Sequence, residues 1–524
     1  MKRFPNTYVI IFGIIVLCAL ATWLVPGGEY VKDINTGEFV FQSTQSNGQW
    51  WQVFSTLYNG FVQQSGIIVF ILIIGGAFWI INKSRSIDAG IYRFLERMRR
   101  LERNPALKRI GVDNIVIVAV MLVFSLFGAV FGMSEETIAF VALVIPLAIS
   151  MGYDSVVGVC MVYVAAHVGF AGAILNPFTI GIAQNIAGIP MFSGIEYRFF
   201  CWFVLTAITI VFVLWYAARV KKNPQKSFMY EHDSFWRKRI EEDAKNGIEY
   251  YKNRASIIVF ALSSAIILIF TAAYCSSTVI KLGTSEYSTP WLLPVTAVLY
   301  LASGLFALRK SVHYFILNVL GFTIIYLLIG VLAFGWYIPE ISALFLAMGI
   351  ICGIAMGLSA NDIVKEFLNG AKDIMSAALV VGLAAGIVFI LREGKIIDTI
   401  LYSMANSLEN AGGTGSLGLM YIIQAVVNIV IPSASAKAAI TMPIMAPFAD
   451  LIGVSRQATV LAFQFGDGFT NMITPTSGVL IAVLGIARIP YNKWLKWILP
   501  FVGILIIIGF LLLIPTVCFS LPGF

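Results

Sequence analysis

Charged side chains are scarce in this chain. They make up 12% of its 524 residues, about half the share usual in soluble domains. A surface solvated all round is therefore excluded. Histidine occurs three times, and the six cysteines (Cys18, Cys160, Cys201, Cys275, Cys352, Cys518) stand singly in mostly apolar segments. Neither a disulfide framework nor a structural zinc site has the spacing it needs. There is no Gly-Lys-Ser/Thr phosphate loop and no nucleophile elbow, which argues against an ATP-driven pump or a hydrolase within this chain. The net charge of +8 is carried by loops and reads as a topology signal, not as a nucleic-acid surface.

What is present is apolar: 59% hydrophobic residues and a mean hydropathy of +0.88. Runs of 18 or more apolar residues recur and predict an all-α polytopic membrane protein. The first run, Tyr8 to Val25 after Lys2-Arg3, is longer than a signal-peptide core and lacks a small-residue cleavage site. It reads as a retained span.

Two apolar passages between Asn428 and Ser477 are interrupted by small, hydroxylated or charged residues. The interruptions are Pro432-Ser433-Ala434-Ser435-Ala436-Lys437 and Phe465-Gly466-Asp467-Gly468 to Asn471-Met472-Ile473-Thr474-Pro475-Thr476. In lipid such breaks persist only where the backbone is buried in protein or lines a cavity. The pattern occurs once earlier, at Gly132-Met133-Ser134-Glu135-Glu136-Thr137 and at Asn176-Pro177-Phe178-Thr179. Pro146 pairs with Pro447, Gly152 with Gly453, and Asn176-Pro177 with Thr474-Pro475. Upstream, Asn59-Gly60 matches Asn369-Gly370 and Gly76 matches Gly386. The common order predicts an internal duplication.

The loop 83–110 holds nine Lys/Arg against three acids, and 219–254 holds ten against six. Both are expected in the cytoplasm. Counting crossings from these loops makes the two hairpins enter from opposite faces, an inverted-topology repeat with 11 crossings, the N-terminus inside and the C-terminus outside. The first repeat is expected over 1–220, with a re-entrant hairpin at about 124–150 and a broken helix at about 156–190. Residues 221–340 supply the basic loop and three linking spans. The second repeat, 341–524, has its hairpin at about 415–450 and broken helix at about 457–487. Surface helices are expected at 50–64, 87–101, 361–373 and 396–410, between spans such as 66–82 and 374–391.

Few ionisable residues are left at membrane depth: Glu135, Glu136, Lys437, Asp467 and His167. Such residues are costly in a bilayer and point to function. For the first four the competing reading is a structural pair or snorkelling to the interface. His167 reads equally well as a hydrogen-bonded bundle residue. Ser134, Thr137, Asn176, Thr179, Ser433, Ser435, Asn471, Thr474 and Thr476 supply hydroxyls and amides suited to Na⁺ or a substrate carboxylate. Gly132, Pro177, Pro432, Gly466, Gly468 and Pro475 break the helices or let a ligand approach the backbone. Symmetry brings the hairpin tips together. Glutamates would then face an amino group, and Lys437 with Ser433 and Ser435 would face a carboxylate.

The paired breaks at Asn176-Pro177 and Pro432-Ser433-Ala434-Ser435 resemble the ion-transporter superfamily. The Gly-Met-Ser-Glu-Glu-Thr and Phe-Gly-Asp-Gly-Phe-Thr-Asn stretches are similar to YfcC-like members of its anaerobic four-carbon dicarboxylate carrier (DcuC) family. The resemblance spans essentially the whole chain. It implies a bacterial inner-membrane secondary transporter, a homodimer, and an elevator mechanism with a scaffold and a mobile transport domain. It also implies the description basic amino acid antiporter. Where sodium–dicarboxylate members carry Ser-Asn-Thr signatures, this chain has Ser-Glu-Glu-Thr and Ser-Ala-Ser-Ala-Lys, which counts against a two-sodium site and a dianionic substrate. The expectation is a secondary carrier of a small zwitterionic or cationic solute, needing no cofactor and coupled to Na⁺, H⁺ or exchange. A four-carbon dicarboxylate or other organic-anion carrier, a channel of the same architecture and an intramembrane enzyme are its rivals.

Overall fold

The computed structural model describes residues 7–32, 39–101, 104, 111–238, 249–282, 285–406 and 412–524. Helices dominate, as the apolar runs require, because a helix satisfies its own backbone groups without water. The first half contains α1 (Thr7–Leu24), α2 (Gln52–Gln63), α3 (Ser65–Lys83), the amphipathic α4 (Ser86–Leu101), α5 (Val112–Phe131) and α6 (Thr137–Ser150). Then come α7 (Ser155–Gly172), α8 (Ile182–Ile186) and α9 (Ile195–Lys222). The linking spans are α10 (Arg254–Tyr274), α11 (Leu292–Lys310) and α12 (Val312–Phe334). The second half holds α13 (Ile338–Ala355), α14 (Ala360–Glu393), α15 (Ile397–Asn406), α16 (Gly412–Val430), α17 (Ala434–Leu451), α18 (Arg456–Thr470), α19 (Gly478–Ala487) and α20 (Tyr491–Leu513). Two short antiparallel β-hairpins, Gly27–Lys32 with Phe39–Thr44 and Val279–Leu282 with Ser285–Ser288, lie between the helices.

The protein is a multi-pass membrane protein. Among the described residues nine helices are long and apolar enough to cross a bilayer, or ten with the bent α14. The expected 11 also count α1, which has 18 residues, and the broken helix at 457–487, whose second part, Gly478–Ala487, falls short on length. Val112–Phe131, read as part of a hairpin, is long enough.

Two expected surface helices are corrected. Residues 361–373 and 374–391 form the single 34-residue α14, bent by 41° near its middle. Neither α2 nor the first half of α14 stands apart from the spans. A Cβ on Gly60 of α2 would lie 1.9 Å from the carbonyl oxygen of Gly382 and 3.2 Å from the Gly386 nitrogen. A Cβ on Gly370 would lie 2.4 Å from the Gly75 oxygen and 2.8 Å from the Gly76 Cα. Glycine at these points lets backbones touch, the usual device for packing helices where lipid supplies no hydrophobic drive.

The hairpins and broken helices pack together. Their arms begin earlier than the sequence suggested, at Val112 and Gly412. Each broken helix starts on a side-chain cap: Asp154 Oδ1 accepts from Val157 N at 2.9 Å, and Ser455 Oγ accepts from Ala458 N at 3.0 Å. Both caps satisfy helix-start donors that would otherwise lack partners. A π-helical turn, Cys160–Val164, lies inside α7, a feature common at functional sites. After α9 the chain folds back, burying Met229 and Trp236, while Asp233 Oδ2 accepts from Ser155 N at 2.9 Å.

Candidate functional site

Four helix breaks meet at one cavity of about 360 Å³. The first hairpin turns at Gly132, which caps α5 in the left-handed conformation at φ 70°. A side chain there would be strained and would also strike Asn176, whose Oδ1 lies 2.5 Å from the position a Cβ would take. Asn176 fixes the break in α7–α8. Its Oδ1 accepts from Phe178 N at 2.9 Å and its Nδ2 donates to the Gly128 carbonyl at 3.3 Å. Pro177 then opens a π-helical turn, Pro177–Gly181, where its missing N–H is not needed. The second hairpin breaks at Pro432 and Ser433 before α17, and α18 breaks between Asn471 and Ser477.

The cavity is lined by Gly132, Ser134, Glu135 and Glu136 from one tip and by Pro432, Ser433 and Ser435 from the other. Asn471, Thr476 and His167 join them from the broken helices. Glu135 Oε1 accepts from the Tyr337 hydroxyl at 3.0 Å. Glu136 Oε2 accepts from Ser134 N at 3.1 Å, and Thr137 Oγ1 donates to the Ser134 carbonyl at 2.5 Å. His167 Nδ1 stands 3.0 Å from the Tyr163 carbonyl. It must donate there, which leaves Nε2 as the acceptor in the neutral ring.

Several other candidates lie outside the cavity or, like Thr476, give their hydroxyl to backbone. Lys437 does not reach it: its Nζ is 3.1 Å from Asp467 Oδ1, with both side chains at 0% exposure. The ammonium also sits 4.3 Å from the centre of the Phe463 ring. Thr179 accepts from Gln464 Nε2 at 3.0 Å. Thr474 and Thr476 both donate to the Ile429 carbonyl, at 3.0 and 2.7 Å, tying the second hairpin to the broken helix. Gly466 and Gly468 are not at a break at all. They lie within α18, where an added Cβ would be 2.8 Å from Ala425 N and 2.4 Å from the Ala171 Cβ. Their lack of a side chain admits neighbouring helices, not a ligand. Pro475 sits in the 471–477 break without lining the cavity.

Sequence reasoning missed Gln63, Gln64, Tyr337 and Ser477, all of which line the cavity. Ser477 had a signal: it stands 301 positions from Asn176, the same interval as Pro146 to Pro447. It caps α19 by accepting from Leu480 N at 3.3 Å. Thr474, paired with Asn176 by its neighbouring proline, has no such capping role. Gln63 and Gln64 looked like the polar end of a surface helix, and Tyr337 falls just before the second repeat, with no local mark of function.

Comparison with known proteins now bears on this geometry. The profile of the C4-dicarboxylate anaerobic carrier family, DcuC, matches residues 4–312 and 307–518. The chain belongs to this family. A relative in Escherichia coli (strain K12), named "Putative basic amino acid antiporter YfcC", is 32% identical over 550 residues, covering 96% of this chain and 94% of that one. An uncharacterized protein of Haemophilus influenzae is 26% identical over 563 residues, covering 98% and 97%. Among solved structures, the YdaH transporter of Alcanivorax borkumensis aligns over 99% of this chain and 100% of its own, with 16% identity and a TM-score of 0.38. At that distance it carries no argument here. DcuC is a transporter family, and the site is therefore read as a transport site.

Proposed function

We propose that this DcuC-family transporter carries a small cationic or zwitterionic, amino-acid-like solute by alternating access. One observation carries the reading: the cavity between the hairpin tips is lined by two glutamates and by no lysine or arginine among the described residues. Lys437, buried on the second hairpin, is neutralised by Asp467. An amine entering the cavity meets carboxylates, while a four-carbon dicarboxylate meets like charge. A solute carboxylate has a place too. Helices α17 and α19 begin beside the cavity at Ser433 and Ser477, and helix starts favour anionic groups.

The same reading takes the two halves as an inverted repeat in a bacterial inner membrane, N-terminus inside and C-terminus outside. Its support is a pair of crossed contacts: Gly60 meets Gly386, and their sequence counterparts Gly370 and Gly76 meet each other. The hairpins and broken helices would move as one body against α2, α3, α13 and α14 in a homodimer. Exchange, H⁺ or Na⁺ would supply the coupling. Purified protein in proteoliposomes tests the function: labelled lysine, arginine or ornithine should show saturable counterflow, and succinate should not. Counterflow of succinate alone would reverse the charge assignment. Current far above carrier turnover would replace the carrier with a channel.

A further inference from the structure

The cavity lies on a seam. One side is built from the hairpins and broken helices, the other from the α2–α3 junction (Gln63, Gln64) and the start of α13 (Tyr337, Ile338). A side-chain hydrogen bond crosses it inside the cavity, from the Tyr337 hydroxyl to Glu135 Oε1 at 3.0 Å. An ion pair crosses it elsewhere, from Arg488 Nη2 to Asp373 Oδ2 at 2.7 Å. That ion pair is more than a third exposed on both sides, and such pairs contribute little. The Tyr337 bond differs because its acceptor is also the group that awaits the solute's amine.

Tyr337 is held for this task. It precedes the first turn of α13, where its own backbone N–H donates to Glu340 Oε2 at 3.1 Å. Its ring lies beside Phe178, with centroids 6.5 Å apart, and Phe178 sits in the turn that Asn176 caps.

We infer that Tyr337 is a latch that holds the empty carrier in this state and is released by solute, so that net movement toward the face on which this cavity opens requires return cargo. The inference rests on the carrier reading above. A hydrogen bond to an ionised acceptor is about twice as strong as a neutral one. With Glu135 ionised and no solute bound, the Tyr337 hydroxyl donates to a carboxylate that shares its charge with no solute cation. When a solute ammonium pairs with Glu135 it competes with Tyr337 for the same carboxylate charge, the Tyr337 bond weakens, and the hairpin tip can leave α13. Empty carrier stays and loaded carrier goes. The latch acts on one state only, so its effect is directional.

The test compares exchange with net efflux of labelled lysine or arginine in right-side-out and in inverted membrane vesicles. In one of the two orientations the native protein should exchange faster than it releases solute into solute-free buffer. Tyr337→Phe, which removes one oxygen, should raise the ratio of net efflux to exchange about tenfold in that orientation, the size expected from one charge-assisted bond. In the other orientation the ratio should stay as it was. If Tyr337→Phe does not accumulate, Tyr337→Leu replaces it. The same ratio in variant and native protein, in both orientations, overturns the latch and leaves the carrier reading standing. No exchange of any cationic or zwitterionic amino acid by the native protein overturns both.

Discussion

Tyr163 and Gln464 make the same hydrogen bond in opposite directions. The Tyr163 hydroxyl donates to the backbone carbonyl of Asn471 at 2.9 Å, and Gln464 Nε2 donates to the backbone carbonyl of Phe170 at 2.6 Å. Tyr163 to Gln464 and Phe170 to Asn471 are both steps of 301 positions, so each broken helix supplies a donor to the other's break. Carbonyls freed at a break in apolar surroundings need such donors. Leaving one unpaired costs about 1–3 kcal/mol. Tyr163→Phe and Gln464→Leu should each lower thermal stability by this order. Gln464→Leu should be the worse, because Gln464 also donates to Thr179. Equal stability of both variants and native protein in a detergent melt would show that the bonds contribute nothing.

Exchange of partners between halves is what a two-fold relation requires, and topology checks it. Asn223 and Arg392 are both exposed. In the inverted-repeat reading Asn223→Cys and Arg392→Cys react with an impermeant thiol reagent from opposite sides of intact cells. Reaction from the same side would end that reading.

The Lys437–Asp467 pair predicts a stability pattern and not a binding defect. Removing one member of a fully buried pair costs about 3–5 kcal/mol, while replacing both by apolar residues is often neutral. Lys437→Met and Asp467→Leu should each lose most folded protein, and the double variant should recover much of it. The readout is the monodisperse fraction on gel filtration. A stable Lys437→Met that fails only in transport would return the ammonium to the solute.

Gly60 separates close approach from mere smallness. Its absent Cβ would meet the Gly382 carbonyl at 1.9 Å, whereas a Cβ on Gly503 would meet nothing within 4 Å. Gly60→Ala should therefore sharply reduce folded yield. Gly503→Ala should be neutral or slightly stabilising, since alanine favours the helix by about 1 kcal/mol.

For the glutamates the expected outcome is functional. Glu135→Gln and Glu136→Gln should abolish counterflow of cationic amino acids or remove its pH dependence, with folding retained. Normal counterflow and an unchanged pH profile in both variants would move the solute elsewhere.

The segment that folds back after α9 should respond to pH through Asp233. Burial pushes its carboxyl up to about 6, with Asp154 adding to the rise and the Ser155 and Arg237 contacts opposing it. The folded value exceeds the usual one, so the docked segment binds its proton more tightly than the free segment. Docking is strongest below about pH 4, and that stabilisation is lost as pH rises through about 6. Hydrogen exchange of residues 227–236, corrected for intrinsic rates, should be slower at pH 5 than at pH 7.5. Asp233→Asn should flatten the difference.

The apolar runs by themselves determined that this chain spans a membrane many times, and the hydroxyls and charges inside them located the breaks. Both are local properties: lipid penalises any unsatisfied backbone group wherever it stands, so the penalty is written in the segment that bears it. Glu135, Glu136, Ser433 and Ser435 were legible for this reason, and the structure puts them in one cavity. Which group meets which across the breaks is not local. Lys437 reads as a substrate ligand until α18 brings Asp467 to 3.1 Å. Nothing local marks Tyr337 until the start of α13 brings it to Glu135. The glycines of α18 read as a ligand's path until Ala171 and Ala425 are seen against them. Burial, pairing and the acidic character of the cavity depend on side chains hundreds of residues apart, and only the packed helices decide them.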